Sequence, residues 1–246
     1  MPHAPTPEEQ ELLELINRAR MNPLGEFDAL IADASRSQGI ISDITTALKY
    51  FGTDMALLYS QIEALTAVAP VAWNGALGRS SDTHGALMIE HDLQSHNLPN
   101  EAGLLARIQN AGYGSAQLVG ENVFAYAYDV VYAHAGFFID WGGTAETGGI
   151  QNPAGHRNTI MNATYTEVGL SIIHENDSST AVGPLVVTQH FGTRWDYRQQ
   201  LVGVVIDDQD GDAFYDVGEG MGGVTVTATN ASGSFTTTTW AAGGYQ

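Results

Sequence analysis

The residues D-Q-D-G-D-A-F-Y-D-V-G-E, from Asp208 to Glu219, put side-chain oxygens at loop positions 1, 3, 5, 9 and 12: Asp208, Asp210, Asp212, Asp216 and Glu219. Position 7 is Phe214, which offers only its backbone carbonyl, the contribution expected there. Five carboxylates in so short a run repel one another unless a cation sits among them. A hard ion that takes roughly six to eight oxygens makes calcium the natural ligand. Position 6 is Ala213 rather than glycine, and holding an alanine at the positive φ of a sharp turn costs about 1 kcal/mol. A solvated acidic loop is the plainer alternative. The flanks VGVVI and GVTVTAT are strand-like, so a helical EF-hand pair is not expected. A second set of candidates is scattered. His96 and Glu121 close the two ends of a stretch rich in Gly, Asn and Ala, and His156 sits in GHRNTIMN. Either His96 and Glu121 meet at a site or each is a surface polar residue. The chain has no GxSxG, HExxH, Walker loop or dinucleotide fingerprint, so nothing marks a nucleophile or a nucleotide site.

Composition narrows the classes. A net charge of -19, from 28 acids against 9 bases with Lys49 the single lysine, repels nucleic acid and anionic lipid. With no cysteine, disulfides and thiolate zinc sites are excluded. No apolar run of about 18 residues predicts a transmembrane helix. The N-terminal MPHAPTPEEQ shows neither the basic nor the apolar region of a leader, so the protein is cytoplasmic, has lost a leader, or is exported by a signal elsewhere.

The elements that must hold these residues read as follows. Thr6-Pro7-Glu8-Glu9 starts a helix that runs to about Asn22-Pro23, with Leu12, Leu13, Leu15, Ile16 and Ala19 on its apolar side. Residues 24–70 hold amphipathic helical segments such as Phe27 to Ala32 and Ile44 to Leu58. Helices are expected over Gly75 to Leu93 and Asp129 to Trp141, and strands over Glu167 to Ile173 and Leu185 to Phe191, with HENDSSTAVGP as the hairpin loop. Helices first and strands after, without a repeated βαβ unit, predict an α+β fold. After Arg198 the composition shifts: residues 201–246 carry six acids and no Lys or Arg and read as a partial β module, too short to close a sandwich.

The ordered set WN at 73–74, SHN at 95–97, GEN at 120–122, FFIDW at 137–141, GHRNTIMN, VGL and TQHFG resembles the CAP superfamily in its bacterial, cysteine-free SCP-like form. The similarity covers about residues 8–195, with residues 24–70 longer than the minimal domain, and it divides the chain into a CAP/SCP-like domain over 1–198 and the β module over 201–246. The tail, through VVIDDQDGDAFYDVGEGMGGVTVTATN, resembles the calcium-binding B-type repeats of bacterial surface proteins, in which the ion is structural.

What the first resemblance implies is an α-β-α sandwich whose central cleft holds two histidines and two acids. Carried over by motif, these are His96, Glu121 and His156. The remaining acid usually belongs to a Trp-x-x-Glu, where this chain has FFID, so Asp140 takes the place with a shorter side chain and Glu146 is the alternative. His96 and His156 would then hold zinc or another divalent ion, with the carboxylates orienting the imidazoles or accepting a proton from bound water. Alternatively the acids only fix the cleft, and Glu121 could instead serve backbone N–H groups of a GEN turn. His84, His91 and His134 read as packing residues and His190 as a strand residue near the cleft, while Arg157 and Arg194 read as ion-pair partners. His3 and His174 fall in loops. Three functions remain in play: a secreted or surface binding module taking a small ligand, lipid or protein; a metal-dependent hydrolase with Glu121 or Asp140 as base; and a scaffold segment of a longer protein.

Overall fold

The computed structural model describes residues 3–231 and 233–246; Met1 and Pro2, at the start of the stretch read for a leader, lie outside them. The first helix, α1 (Pro7–Met21), begins as its sequence predicts. Thr6 Oγ1 accepts from the Glu9 backbone N–H, Glu9 returns a carboxylate oxygen to the Thr6 N–H, and Pro7 fills the first turn.

Residues 24–70 are more broken than the amphipathic pattern suggests. They form α2 (Pro23–Leu30), a short hairpin of β1 (Ile31–Asp33) and β2 (Gln38–Gly39), α3 (Ser42–Tyr50) and α4 (Met55–Glu63). The expected Ile44 to Leu58 helix is cut because Gly52 takes φ +62° and Asp54 then caps a new helix through the N–H groups of Ala56 and Leu57.

After β3 (Ala72–Trp73), α5 (Gly75–Glu90) is capped by Asn74. A loop and α6 (Leu104–Asn110) lead into β4 (Ala116–Ala127), the longest strand. The GEN triplet therefore lies inside a strand and not in a turn. Its alternation is masked by glycine, asparagine and a buried glutamate at positions 120–122. Next come α7 (Val130–Ala135), a π-helical turn over Gly136–Asp140, and α8 (Gly155–Ile160). Strands β5 (Glu167–His174) and β6 (Leu185–Arg194) follow, joined by the expected hairpin loop.

The central sheet has the order β3-β5-β6-β4; β3 runs parallel to β5 and the other pairs are antiparallel, so β4 is an edge. Its two faces are separate environments. On one, α5 lies so close to β5 that a Cβ on Gly169 would stand 2.0 Å from the Gly78 nitrogen. On the other, Val168, Leu170, Val187 and Phe191 join Leu12 and Ile16 of α1 in the main apolar cluster. Helices on both faces of a mixed sheet make an α-β-α sandwich of the α+β class.

The tail forms β7 (Gly203–Val204), β8 (Thr225–Asn230), β9 (Gly233–Thr238) and β10 (Gly244–Tyr245), paired as β7 with β10 and β8 with β9. It lies against α1: Trp240 donates its indole N–H to Gln10 at 2.7 Å, and the Arg18 guanidinium stands 4.0 Å over the Phe214 ring. Among the described residues no helix is long and apolar enough to cross a membrane.

Candidate functional site: two carboxylate–imidazole pairs at a sheet edge

Strand β4 sets the geometry, because consecutive residues of a strand point to opposite faces. Glu121 pairs in register with His190 on the α5 face, and Asn122 pairs with Gln189 on the other. Two acid–histidine pairs are assembled around this step in the strand.

On the α5 face, Glu121 Oε1 accepts from His96 Nδ1 at 2.7 Å and Oε2 accepts from His190 Nε2 at 2.7 Å. Arg107, on α6, donates to the same Oε2, to Glu101 at 3.2 Å and to the His96 carbonyl at 3.3 Å. His84, on α5, bonds Glu101 through Nδ1 at 2.8 Å and holds Nε2 3.6 Å from Glu121. Burial alone would raise the Glu121 carboxyl, but the hydrogen bonds it accepts from His190 and His96 outweigh that, holding it well below the usual carboxylate range. Burial pushes His190 down, so it stands neutral and donates from Nε2.

Across the strand, Asp140 is fully buried and accepts three times: from His156 Nδ1 at 2.7 Å, from the His156 backbone N–H at 2.9 Å and from the Arg157 N–H at 3.2 Å. It does so from the left-handed region, at φ +61°. Asn122 joins the pairs, donating to the His156 carbonyl at 3.2 Å and to Gln189 at 3.0 Å.

Since an ionised carboxylate only accepts, the nitrogen facing it carries the proton. In the neutral ring this makes His96 and His156 Nδ1–H tautomers, in which Nε2 carries the lone pair. That is the form in which imidazole ligates a metal, with a carboxylate behind it. Of the expected four, the structure joins His96 to Glu121 and His156 to Asp140. It does not gather all four into one cluster: among the described residues, no set of three imidazole or carboxylate ligand atoms lying within 4.8 Å of one another includes either histidine. Glu146, the alternative fourth residue, lies in the exposed turn Ala145–Thr147.

Residue-by-residue reading missed Glu101 and Arg107; His84 is buried, as its packing role requires, and also bonds Glu101. The one signal was charge where the pattern wants apolar residues: Arg107 between Leu105 and Ile108. His134 is buried, as its packing role requires, yet it also bonds Glu26 at 3.0 Å. Arg194 makes its expected ion pair, with Glu167 at 2.9 Å. Arg157 makes no such pair among the described residues: it donates to the carbonyls of Phe138 and Ile139 and to Gln61.

In the tail, two overlapping sets of carboxylates, Asp208/Asp210/Asp212 and Asp210/Asp216/Glu219, each bring ligand atoms within 4.8 Å of one another. The loop is shaped by its own backbone: Asp208 accepts from the N–H of Gly211 and Ala213, and Glu219 from those of Gln209 and Asp216. Ala213 takes φ +61°, the conformation that position 6 requires. Partial burial and then the charges of Asp212, Asp210 and Glu219 raise the Asp216 carboxyl, the electrostatic situation a divalent ion relieves.

Among the solved structures similar to the chain, three illustrate the likeness. An extracellular protein containing an SCP domain, from Bacillus anthracis, is 21% identical over 64% of this chain, at a TM-score of 0.39; the match spans only 45% of that longer protein. An outer surface protein of Borrelia burgdorferi is 13% identical over 62% of this chain and 92% of its own, at 0.41. Venom allergen-like protein 4 of Schistosoma mansoni is 11% identical over 63% of this chain and 92% of its own, at 0.35. No curated protein matches. The model of the cysteine-rich secretory protein family, CAP, matches residues 13–191, most of the chain. With that match, and with the helix-flanked sheet described above, the chain belongs to the CAP family.

Proposed function

We propose that the chain is an extracellular or surface-borne binding module: the Nε2 atoms of His96 and His156 take a divalent transition ion or a small ligand at the edge of β4, and calcium orders the tail loop. One observation carries the first part. Both imidazoles are fixed by a carboxylate at Nδ1, so each presents the nitrogen a ligand needs. A catalytic zinc more often keeps three protein ligands, and among the described residues no such set of three includes His96 or His156, which favours binding over a hydrolytic reading. The extracellular placement is supported by the descriptions of two of the similar structures. The tail's acidic spacing and its left-handed Ala213 support a structural calcium of the B-type repeat kind.

Calorimetric titration of metal-free protein with zinc tests the cleft. Single His96→Ala and His156→Ala variants should each abolish the binding seen in the parent if one ion is shared. Binding that survives the double variant sinks the reading. For the tail, calcium should raise the unfolding temperature of the parent and not that of Asp208→Asn/Asp210→Asn.

A further inference from the structure

His156 also lines a cavity of about 170 Å³ that wraps the edge of β4, and the chemistry of its walls specifies a ligand more narrowly than the histidines do. This inference rests on the binding-module reading but not on the ion. Phe51, Phe124, Phe137 and Trp141 form the apolar walls. Phe51 and Trp141 lie nearly parallel, 13° apart with centroids separated by 6.4 Å, and Phe137 stands 5.3 Å from the His156 ring.

Three polar groups face the same space, and each has one side already occupied. Gln94 accepts the Ala125 N–H at 2.7 Å, which leaves its amide N–H groups. Gln151 donates to the Trp141 carbonyl at 3.1 Å, which leaves its amide oxygen. His156 keeps Nε2. The lining thus offers donors and acceptors around aromatic walls, with no Asp, Glu, Lys or Arg among its residues.

The aromatic surface continues outward. Tyr50, 82% exposed, meets Phe51 at 4.9 Å, and on the other side Trp141 meets Tyr132 at 5.3 Å and Tyr132 meets Tyr128, 59% exposed, at 5.0 Å.

We infer that this cavity binds one pyranose ring of a neutral, β-linked oligosaccharide, whose neighbouring rings lie along Tyr50 and Tyr128. The volume is below the roughly 300–1,000 Å³ of sites for drug-sized ligands, which matches a single ring. An acyl chain would leave two amides and an imidazole without partners for their remaining donors and acceptors, a loss that a hydroxyl-bearing ring avoids. A pyranose has flat C–H faces for the rings and hydroxyls that both donate and accept. The uncharged lining and the net charge of -19 disfavour anionic glycans.

The test is calorimetry and tryptophan fluorescence on the full chain with cellotetraose and chitotetraose, beside hyaluronan tetrasaccharide, adenosine and phosphatidylcholine vesicles. Saturable binding of a neutral tetrasaccharide, weakened about tenfold by Phe51→Ala or Gln151→Ala and less by the exposed Tyr50→Ala, is the expected result. Circular dichroism and unfolding curves separate loss of the site from loss of the fold, and Gln94→Ala supplies an independent variant. The inference is overturned if neither neutral tetrasaccharide binds saturably, if binding ignores these substitutions, or if adenosine, hyaluronan or vesicles compete for the same site. Running each titration with zinc and with chelator keeps the two readings apart: zinc binding without sugar binding ends this inference alone, and sugar binding without zinc binding ends the ion reading alone.

Discussion

The two acid–histidine pairs look alike at 2.7 Å and are built by opposite means. Glu121 is held by side chains from four places in the chain: His96, His190, Arg107 and, at longer range, His84. Asp140 is held mostly by backbone, taking the N–H groups at the start of α8 while sitting in a strained left-handed conformation. The first arrangement depends on compensating buried charge. The second depends on a local shape of the chain. The same chemical output, an imidazole with a free Nε2, can therefore fail in two different ways.

The difference makes ordered predictions. Arg107→Met should be the most damaging change, about 3–5 kcal/mol in urea unfolding, since it leaves Glu101 and Glu121 buried without their cation. Asp140→Asn should cost only about 1–2 kcal/mol, because asparagine tolerates positive φ and still accepts the N–H groups. If the two variants cost the same, the contrast between charge-held and backbone-held pairs is wrong.

His190→Phe, which removes one donor from Glu121 without leaving a cation unpaired, should fall between or below these, at about 1–3 kcal/mol. His96→Ala should be smallest, below about 1 kcal/mol, since the His96 side chain is 55% exposed.

Acidity separates Glu121 from the acids of α1 by sign. The folded value of Glu121 lies below its unfolded one, so its contribution is present above the ordinary glutamate range and is lost as pH falls through the folded value. Glu121→Gln should therefore flatten the acid limb of a stability–pH curve. Glu9, Glu11 and Glu14 of α1 behave oppositely. Burial raises each to about 7, so their contribution is present below the ordinary value of 4.5 and is lost as pH rises through about 7. Glu14→Gln should gain stability at pH 8 relative to the parent and little at pH 4. The same gain at both pH values would refute the assignment.

How much of this could be read beforehand follows from where the information lies. The capping box of α1, the β5–β6 hairpin and the positive φ of Ala213 are local, and local patterns state them. The pairing of His96 with Glu121 and of Asp140 with His156 was legible only through ordered motifs, since residues 25 and 16 positions apart say nothing of contact by themselves. Strand β4 was hidden because Gly120 lies against Tyr165 and Glu121 and Asn122 serve the site, which spoils its apolar alternation. Arg107 was hidden for the converse reason: a lone basic residue on a short helix reads as a solvated one until its buried acids are known.

The widened turn at Gly136–Asp140 carries one more consequence. The chain has an aspartate where the motif resemblance leads one to expect a glutamate, and here the main chain supplies reach: the π-helical turn and the left-handed Asp140 bring the shorter carboxyl to the imidazole. Loop shape and acid length are thus a matched set, and Asp140→Glu, which lengthens the acid by one methylene, should loosen His156 unless the turn is shortened with it.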